Sequence, residues 1–210
     1  MGGFKGATCF LLTPIARVRL RLRRFKWTTD KGVGCANNPG RGHNAEVLIG
    51  DEDCPLNENR THGDLHPHDD DRWPTKCEHC DYTFVDEDQW QLNPDRLHES
   101  SADHKPMTLH EAPPGAMWYA DWYHFRGPDD RCLVVRCPNG MDWIIDSRAS
   151  NCTKPNDKEH NCWYRTGEPP NVTIVHPHKK SCSAGAGSIG IGSKDKYYHG
   201  FLRGGKLTNG

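Results

Sequence analysis

The sequence predicts an α+β fold, rich in strands and loops and poor in helices. Three observations carry this expectation. Short apolar stretches alternate with polar residues at period two, and Asn-Gly or Gly-Gly pairs separate several of them. Only 34% of the 210 residues are hydrophobic, with 21 Gly and 15 Pro, which leaves much of the chain to loops. Seven Trp, six Tyr and six Phe are nevertheless too many for a disordered chain. A fold with so thin an apolar interior calls for staples, and the chain carries ten cysteines and 13 histidines.

Residues 1–30 read as a basic N-terminal strand or arm. In "ARVRLRLR", Val18, Leu20 and Leu22 fall on one face and Arg17, Arg19, Arg21 and Arg23 on the other. Arg24 and Lys26 extend the basic block. Such a strand is a docking surface for phosphates or for an acidic protein face, or a charged edge that deters pairing. The upstream stretch "ATCFLLTPIA" is about half the ~20 residues a membrane helix needs. Pro14 interrupts it, and arginines rather than a cleavage site follow. The expectation is no membrane association and a reducing compartment, where cysteines serve metals rather than disulfides. Three Asn-x-Thr triplets, at Asn59, Asn151 and Asn171, are the only opposing sign.

Residues 31–105 read as a zinc-ribbon-like segment. In "WPTKCEHCDYTF", Cys77 and Cys80 sit on one tight turn. That spacing aims two sulfurs at one ion, while turn amides face the thiolates. A redox pair would need a strand–helix context that the sequence lacks. Cys35 and Cys54 are the natural second pair of ligands, with His66 and His68 as substitutes. "AEVLI" is a short strand, and "YTFVDEDQW" is a strand or the start of a helix. The stretch 51–72 is strongly acidic, opposite in sign to the arginine strand, although the net charge is only −1. Polar residues 100–106 read as a linker.

Residues 106–210 read as a domain of β-hairpins with a second Cys/His cluster. A short helical turn starts at Thr108, and Pro113, Pro114 and Gly115 stop it. "CLVVRCPNGMDWIID" is a hairpin about Asn139-Gly140, "NVTIVH" a further strand, and "YYHGFLRGGKLT" a hairpin about Gly204-Gly205. Cys152, His160, Cys162, Cys182 and His199 are the candidate ligands of a second zinc, with a Cys152–Cys162 disulfide as the alternative. Cys152 and Cys162 lie in a polar loop that a metal would order, whereas Cys132 reads as a small buried residue.

Other motifs carry less. "GAGSIG" fits a dinucleotide fingerprint but lacks the helix and the downstream acid, so it reads as a turn between strands. His98-Glu99 and His110-Glu111 match neither the zinc deaminase nor the metalloprotease pattern. A cysteine hydrolase built on Cys152, His199 and Asp146 rests on residue types alone.

"RWPTKCEHCDYTF", "APPGAMWYADWY", "CLVVRCPNGMDWIIDSRASNCT", "CWYRTGEPPNVTI", "CSAGAGSI" and "YHGFLRGGKL" occur in that order. Across residues 72–207 the chain resembles a family of uncharacterised proteins encoded by tailed bacteriophages and prophages. "GSI" and "HGFLRGGKL" are similar to a broader metal-binding family of unknown function, in which cysteines closely precede the histidine matched by His199; here Cys182 stands in for them. Metal staples without an assembled catalytic set, and opposite charged poles suited to docking on a repeating surface, make the expected role in such a phage a zinc-stabilised virion accessory protein of the capsid or head, partnered by capsid or other virion proteins and compatible with a homo-oligomer. That role implies residence in the virion, or in host cytoplasm during infection. Two alternatives stand beside it: a nucleic-acid-binding zinc protein using Arg17 to Lys26, and a zinc- or cysteine-dependent hydrolase.

Overall fold

The computed structural model describes residues 4–27, 34–35, 37, 42–49, 71–157, 160–176, 182 and 187–210. Among these there is no helix; the chain is all-β, which corrects the α+β expectation. The helical turn foreseen at Thr108 shows why. Thr108 and Glu111 form a capping box, with the Thr108 N–H donating to Glu111 Oε2 (2.9 Å) and the Glu111 N–H to Thr108 Oγ1 (3.4 Å). The turn closes with Ala112 N–H on the Leu109 carbonyl, and the two prolines end it there. The other candidate, "YTFVDEDQW", ends in a turn held by Asp88 before a strand begins at Gln89.

The strands are β1 (Ala7–Thr8), β2 (Phe10–Lys26), β3 (His43–Ile49), β4 (Gln89–Ser100), β5 (Pro106–Thr108), β6 (Ala116–Tyr119), β7 (Leu133–Arg136), β8 (Asp142–Ile144), β9 (Tyr164–Thr166), β10 (Thr173–Val175), β11 (Ile189–Ile191), β12 (Tyr198–Arg203) and β13 (Lys206–Asn209). They belong to two compact units, Met1–Thr13 with His98–Gly210, and Pro14–Leu97. This division differs from the segments 1–30, 31–105 and 106–210 read from the sequence. β2 and β4 each run from one unit into the other, and the polar residues 100–106 make the tight β4–β5 turn rather than a linker.

The larger unit is sandwich-like. One layer holds the antiparallel β6–β7–β8 meander, with the first residues of β2 parallel to β6 (Phe10↔Ala116). The other has the order β1-β13-β12-β11. Met117, Val135 and Trp143 from the first layer share one buried cluster with Ile189, Leu202 and Leu207 from the second. The expected hairpins are present: Gly140 (φ 81°) turns β7 into β8, and Gly204 and Gly205 (φ 52° and 70°) turn β12 into β13. Left-handed φ at those points is why glycine occupies them. Cys132 is fully buried, as are Cys137 and, nearly so, Cys9. Burial pushes their thiols up to about 11, 12 and 12 respectively, which makes them inert packing groups.

In the smaller unit β2 pairs antiparallel with β3, from Leu20↔Ile49 to Lys26↔His43. The alternation read from the sequence holds over Val18, Leu20 and Leu22, each at most 2% exposed and packed with Ile49 and Trp73. Burying each such side chain contributes about 1.5–3 kcal/mol. Arg24 falls in phase with these leucines and is itself buried.

Candidate metal centres

The tight turn at residues 77–80 is the first scaffold. Lys76 bridges Thr83, the Cys77 N–H donates to the Tyr82 carbonyl (2.9 Å), and the Phe84 N–H to Thr75 (2.9 Å). Glu78 fastens the turn to β3: its N–H donates to the Asn44 carbonyl (3.0 Å), and its Oε1 accepts the Glu46 N–H (2.7 Å). This attachment brings His43, the first residue of β3, to the turn. Cys35 joins from the preceding loop. Ligand atoms of Cys35, His43, Cys77 and Cys80 all lie within 4.8 Å of one another.

The internal distances suit a tetrahedron. Cys35 and Cys77 sulfurs are 4.0 Å apart, and Cys80 Sγ is 3.2 Å from His43 Nδ1. A tetrahedral centre with metal–sulfur bonds of about 2.3 Å has sulfur–sulfur edges of about 3.8 Å. A disulfide would bring its sulfurs to about 2.05 Å. The N–H groups of Asn44 and His79 both point at Cys77 Sγ (3.5 Å each), and an amide can only donate, so the sulfur is built to accept. Burial pushes the Cys77 thiol up, but those two amides together with hydrogen bonds from His43 and Cys80 bring it down to about 6. His43 is stacked on Tyr82 (4.0 Å), whose hydroxyl donates to Asp88 and accepts from Lys26.

The second cluster is Cys152, His160, Cys162 and Cys182, again with all ligand atoms within 4.8 Å. Cys162 Sγ is 3.7 Å from both Cys182 Sγ and His160 Nε2. The N–H of Ala149 faces Cys162 Sγ and that of Lys154 faces Cys152 Sγ, each at 3.4 Å. Cys152, Cys162 and Cys182 are all free, so none of their three possible pairs is bonded and Cys152–Cys162 is no disulfide. Burial pushes Cys162 up to about 12, and the neighbouring sulfurs of Cys152 and Cys182 add to it. Three crowded sulfurs cannot all ionise alone; a divalent cation removes that repulsion. His160 is 1% exposed, and among the described residues its Nδ1 has no hydrogen-bond partner.

Arg148 orders the polar loop that carries Cys152. Its guanidinium donates to the carbonyls of Lys154 (3.1 Å), Pro155 (2.9 Å) and Asp157. Groups that orient ligands typically contribute 10–100-fold to metal affinity. Arg148→Ala should therefore weaken metal binding at the second cluster by about that factor and leave the first unchanged. Competition with a chromophoric chelator reads both affinities.

Not every residue expected at a site is there. Cys54, His66, His68 and nearly all of the acidic stretch lie outside the described residues. His199 is not in the second cluster; it is exposed on β12, opposite Gly190 of β11. His43 is not among the residues expected from the sequence, and the structure places it in the first cluster. The hydrolase arrangement is not assembled either. Cys152 belongs to the metal cluster, and Asp146 is paired with Arg165 Nε at 2.9 Å.

Side chains of the basic strand have partners within the chain, two of them carboxylate-paired. Arg21 bridges Asp95 (2.7 Å) and Glu46 (3.1 Å), Arg23 donates to Asn44 Oδ1 (2.6 Å), and Arg24 donates to the Val85 carbonyl and lies over Phe84. Lys26 pairs with Asp88 at 3.5 Å, and Arg17 and Arg19 also interact within the chain. "GAGSIG" runs into β11, which holds Ile189 and Gly190, while 185–186 lie outside the described residues. Among the described residues no helix is long and apolar enough to cross a membrane.

Fold and site together define an all-β chain with two Cys3His clusters compatible with metal binding. No family model, curated protein or solved structure matches it.

Proposed function

We propose that both clusters hold zinc and that the chain is a zinc-stabilised structural or interaction protein. One observation carries this reading: each cluster gathers three sulfurs and one imidazole within 4.8 Å, a complete set of four protein ligands. Four protein ligands close a zinc ion to substrate, whereas catalytic zinc keeps a position open. Sulfur-rich tetrahedral sets also select zinc over the hard cations. The phage setting rests on the sequence resemblance across residues 72–207, and the accessory role at a capsid or head rests on the oppositely charged stretches 17–26 and 51–72, suited to docking on a repeating surface.

Elemental analysis of natively purified chain tests the metal: two zinc per chain is expected. Cobalt exchanged into both sites should give tetrahedral d–d bands and thiolate charge transfer. Metal-free native chain would overturn the reading. Mass spectrometry of purified phage particles tests the setting separately, and absence of the chain from them would remove the virion role while leaving the zinc.

A further inference from the structure

A cleft of about 450 Å³ opens in the larger unit, and neither metal cluster uses it. Trp143 and Trp163, each largely buried, are among the residues that line it, their ring centroids 5.5 Å apart. Tyr197, 53% exposed, stands at its mouth beside His199. Gly190, the glycine left over from the discarded dinucleotide motif, makes room for this. A Cβ there would collide with the Tyr197 hydroxyl. The rim is hydroxyl and amide, including Ser188.

We propose that this cleft binds a neutral saccharide ring. Its size falls in the range of small-ligand sites. Among the described residues that line it there is no carboxylate, and the guanidinium of Arg148 donates to three backbone carbonyls. A cation would therefore find no carboxylate among the described lining residues, and an anion would find both terminal nitrogens of Arg148 already donating to carbonyls. What the cleft offers is aromatic carbon beside groups that both donate and accept hydrogen bonds. A pyranose matches this pairing. Its C–H face is apolar and weakly positive against the negative face of an aromatic ring, and its hydroxyls radiate toward a polar rim. Tyr197 and His199 are the residues placed to contact it.

The cleft depends on the zinc reading in one respect. Residues 149–151 form part of its wall, and the Ala149 N–H is held on Cys162 Sγ. The test uses the full chain with its zinc content measured on the same sample. Glucose, galactose, mannose and N-acetylglucosamine are titrated separately, read by tryptophan fluorescence and by saturation transfer in NMR. At least one sugar should bind saturably. Tyr197→Ala and His199→Ala, both at exposed positions, should each weaken it tenfold or more with zinc content and circular dichroism unchanged. His199→Gln, which keeps a hydrogen-bonding group, should lose less than His199→Ala. Zinc-loaded chain that binds none of the four sugars overturns this inference and leaves the zinc reading standing. Sugar binding that neither variant alters, or tighter binding of adenosine than of every sugar, also overturns it. Metal-free chain that binds sugar supports the cleft and sinks the zinc reading alone.

Discussion

Removing the metal should unfold both units. Zinc binding to small Cys/His sites is worth about 10–16 kcal/mol in isolated peptides near neutral pH. The net stability of a whole domain is about 5–15 kcal/mol. The smaller unit shows the dependence most directly. Its two buried clusters are small, and one of them consists of Ala45 and Phe84 with the ligands Cys35 and Cys77. Without an ion, that cluster is a set of sulfurs with little hydrocarbon to hold them. In the larger unit Cys162 is part of the main buried cluster, and Cys152 and Cys182 pack against it. Losing the ion there exposes the interior around Trp143 and Trp163.

The expected result is cooperative loss of tertiary structure on adding a strong zinc chelator under reducing conditions, reversed by zinc. Tryptophan emission should shift to the red as Trp143 and Trp163 meet water. Cys77→Ala and Cys162→Ala should each retain one zinc per chain. Hydrogen exchange should then rise selectively, across β3 and residues 77–84 in the first variant and across 149–162 in the second. A chelated chain with an unchanged melting transition would show that the interior suffices without metal.

How much of this was legible depended on how far apart in sequence the partners lie. Cys77 and Cys80 announce themselves, because the turn that aims them is only four residues long. The other half of the site does not. Reading a strand from Ala45 puts His43 in a loop, whereas β3 begins at His43 and delivers it to the turn. A usable signal was present: Cys35 and His43 have the same spacing as Cys152 and His160. The arginine strand was legible as a strand because period two is local. The fate of its charge was not, because Asp95 and Glu46 are brought to Arg21 only by neighbouring strands. Arg24 could have been foreseen, since it shares the parity of Leu20 and Leu22. β4 was hidden by its own composition: Pro94 and a run of polar residues disguise a strand of 12 residues. The helical turn read from Thr108 comes to a single turn that Thr108 and Glu111 cap, and no helix follows because a cap cannot propagate into prolines.

Arg165 escaped the sequence reading altogether, and its removal should be the most damaging single substitution away from the metals. It emerges from β9 with its side chain 3% exposed. Nε donates to Asp146 Oδ1 (2.9 Å), and the terminal nitrogens reach Asp129 and the Arg131 carbonyl. Asp146, itself 5% exposed, also accepts the Leu133 N–H at 2.8 Å. Asp129 accepts the Tyr119 hydroxyl at 2.8 Å. One guanidinium thus ties β9 to the start of β7 and to the loop between β6 and β7. The two carboxylates respond differently. Burial dominates at Asp146 and pushes it up despite its partners. At the more exposed Asp129, burial acts the same way, but hydrogen bonds from Arg165 and Tyr119 outweigh it and hold it below the usual range. Arg165→Met keeps the apolar bulk and strands Asp146 as a buried charge, a change that typically costs about 3–5 kcal/mol. The sign of its pH dependence follows. With the guanidinium gone, the Asp146 pKa in the folded state rises further above its unfolded value. Protonation then favours the folded variant, so its deficit against the wild type narrows as pH falls through that raised value and widens as pH rises. Urea titrations of both proteins, confined to the pH range where each keeps two zinc, would show this. Adding Asp146→Leu to Arg165→Met should recover part of the loss, because the more buried of the two stranded charges is gone, while the more exposed Asp129 keeps the Tyr119 hydroxyl. A double variant no better than the single one would mean that the network holds the loop by geometry, and that the buried charge is not the source of the cost.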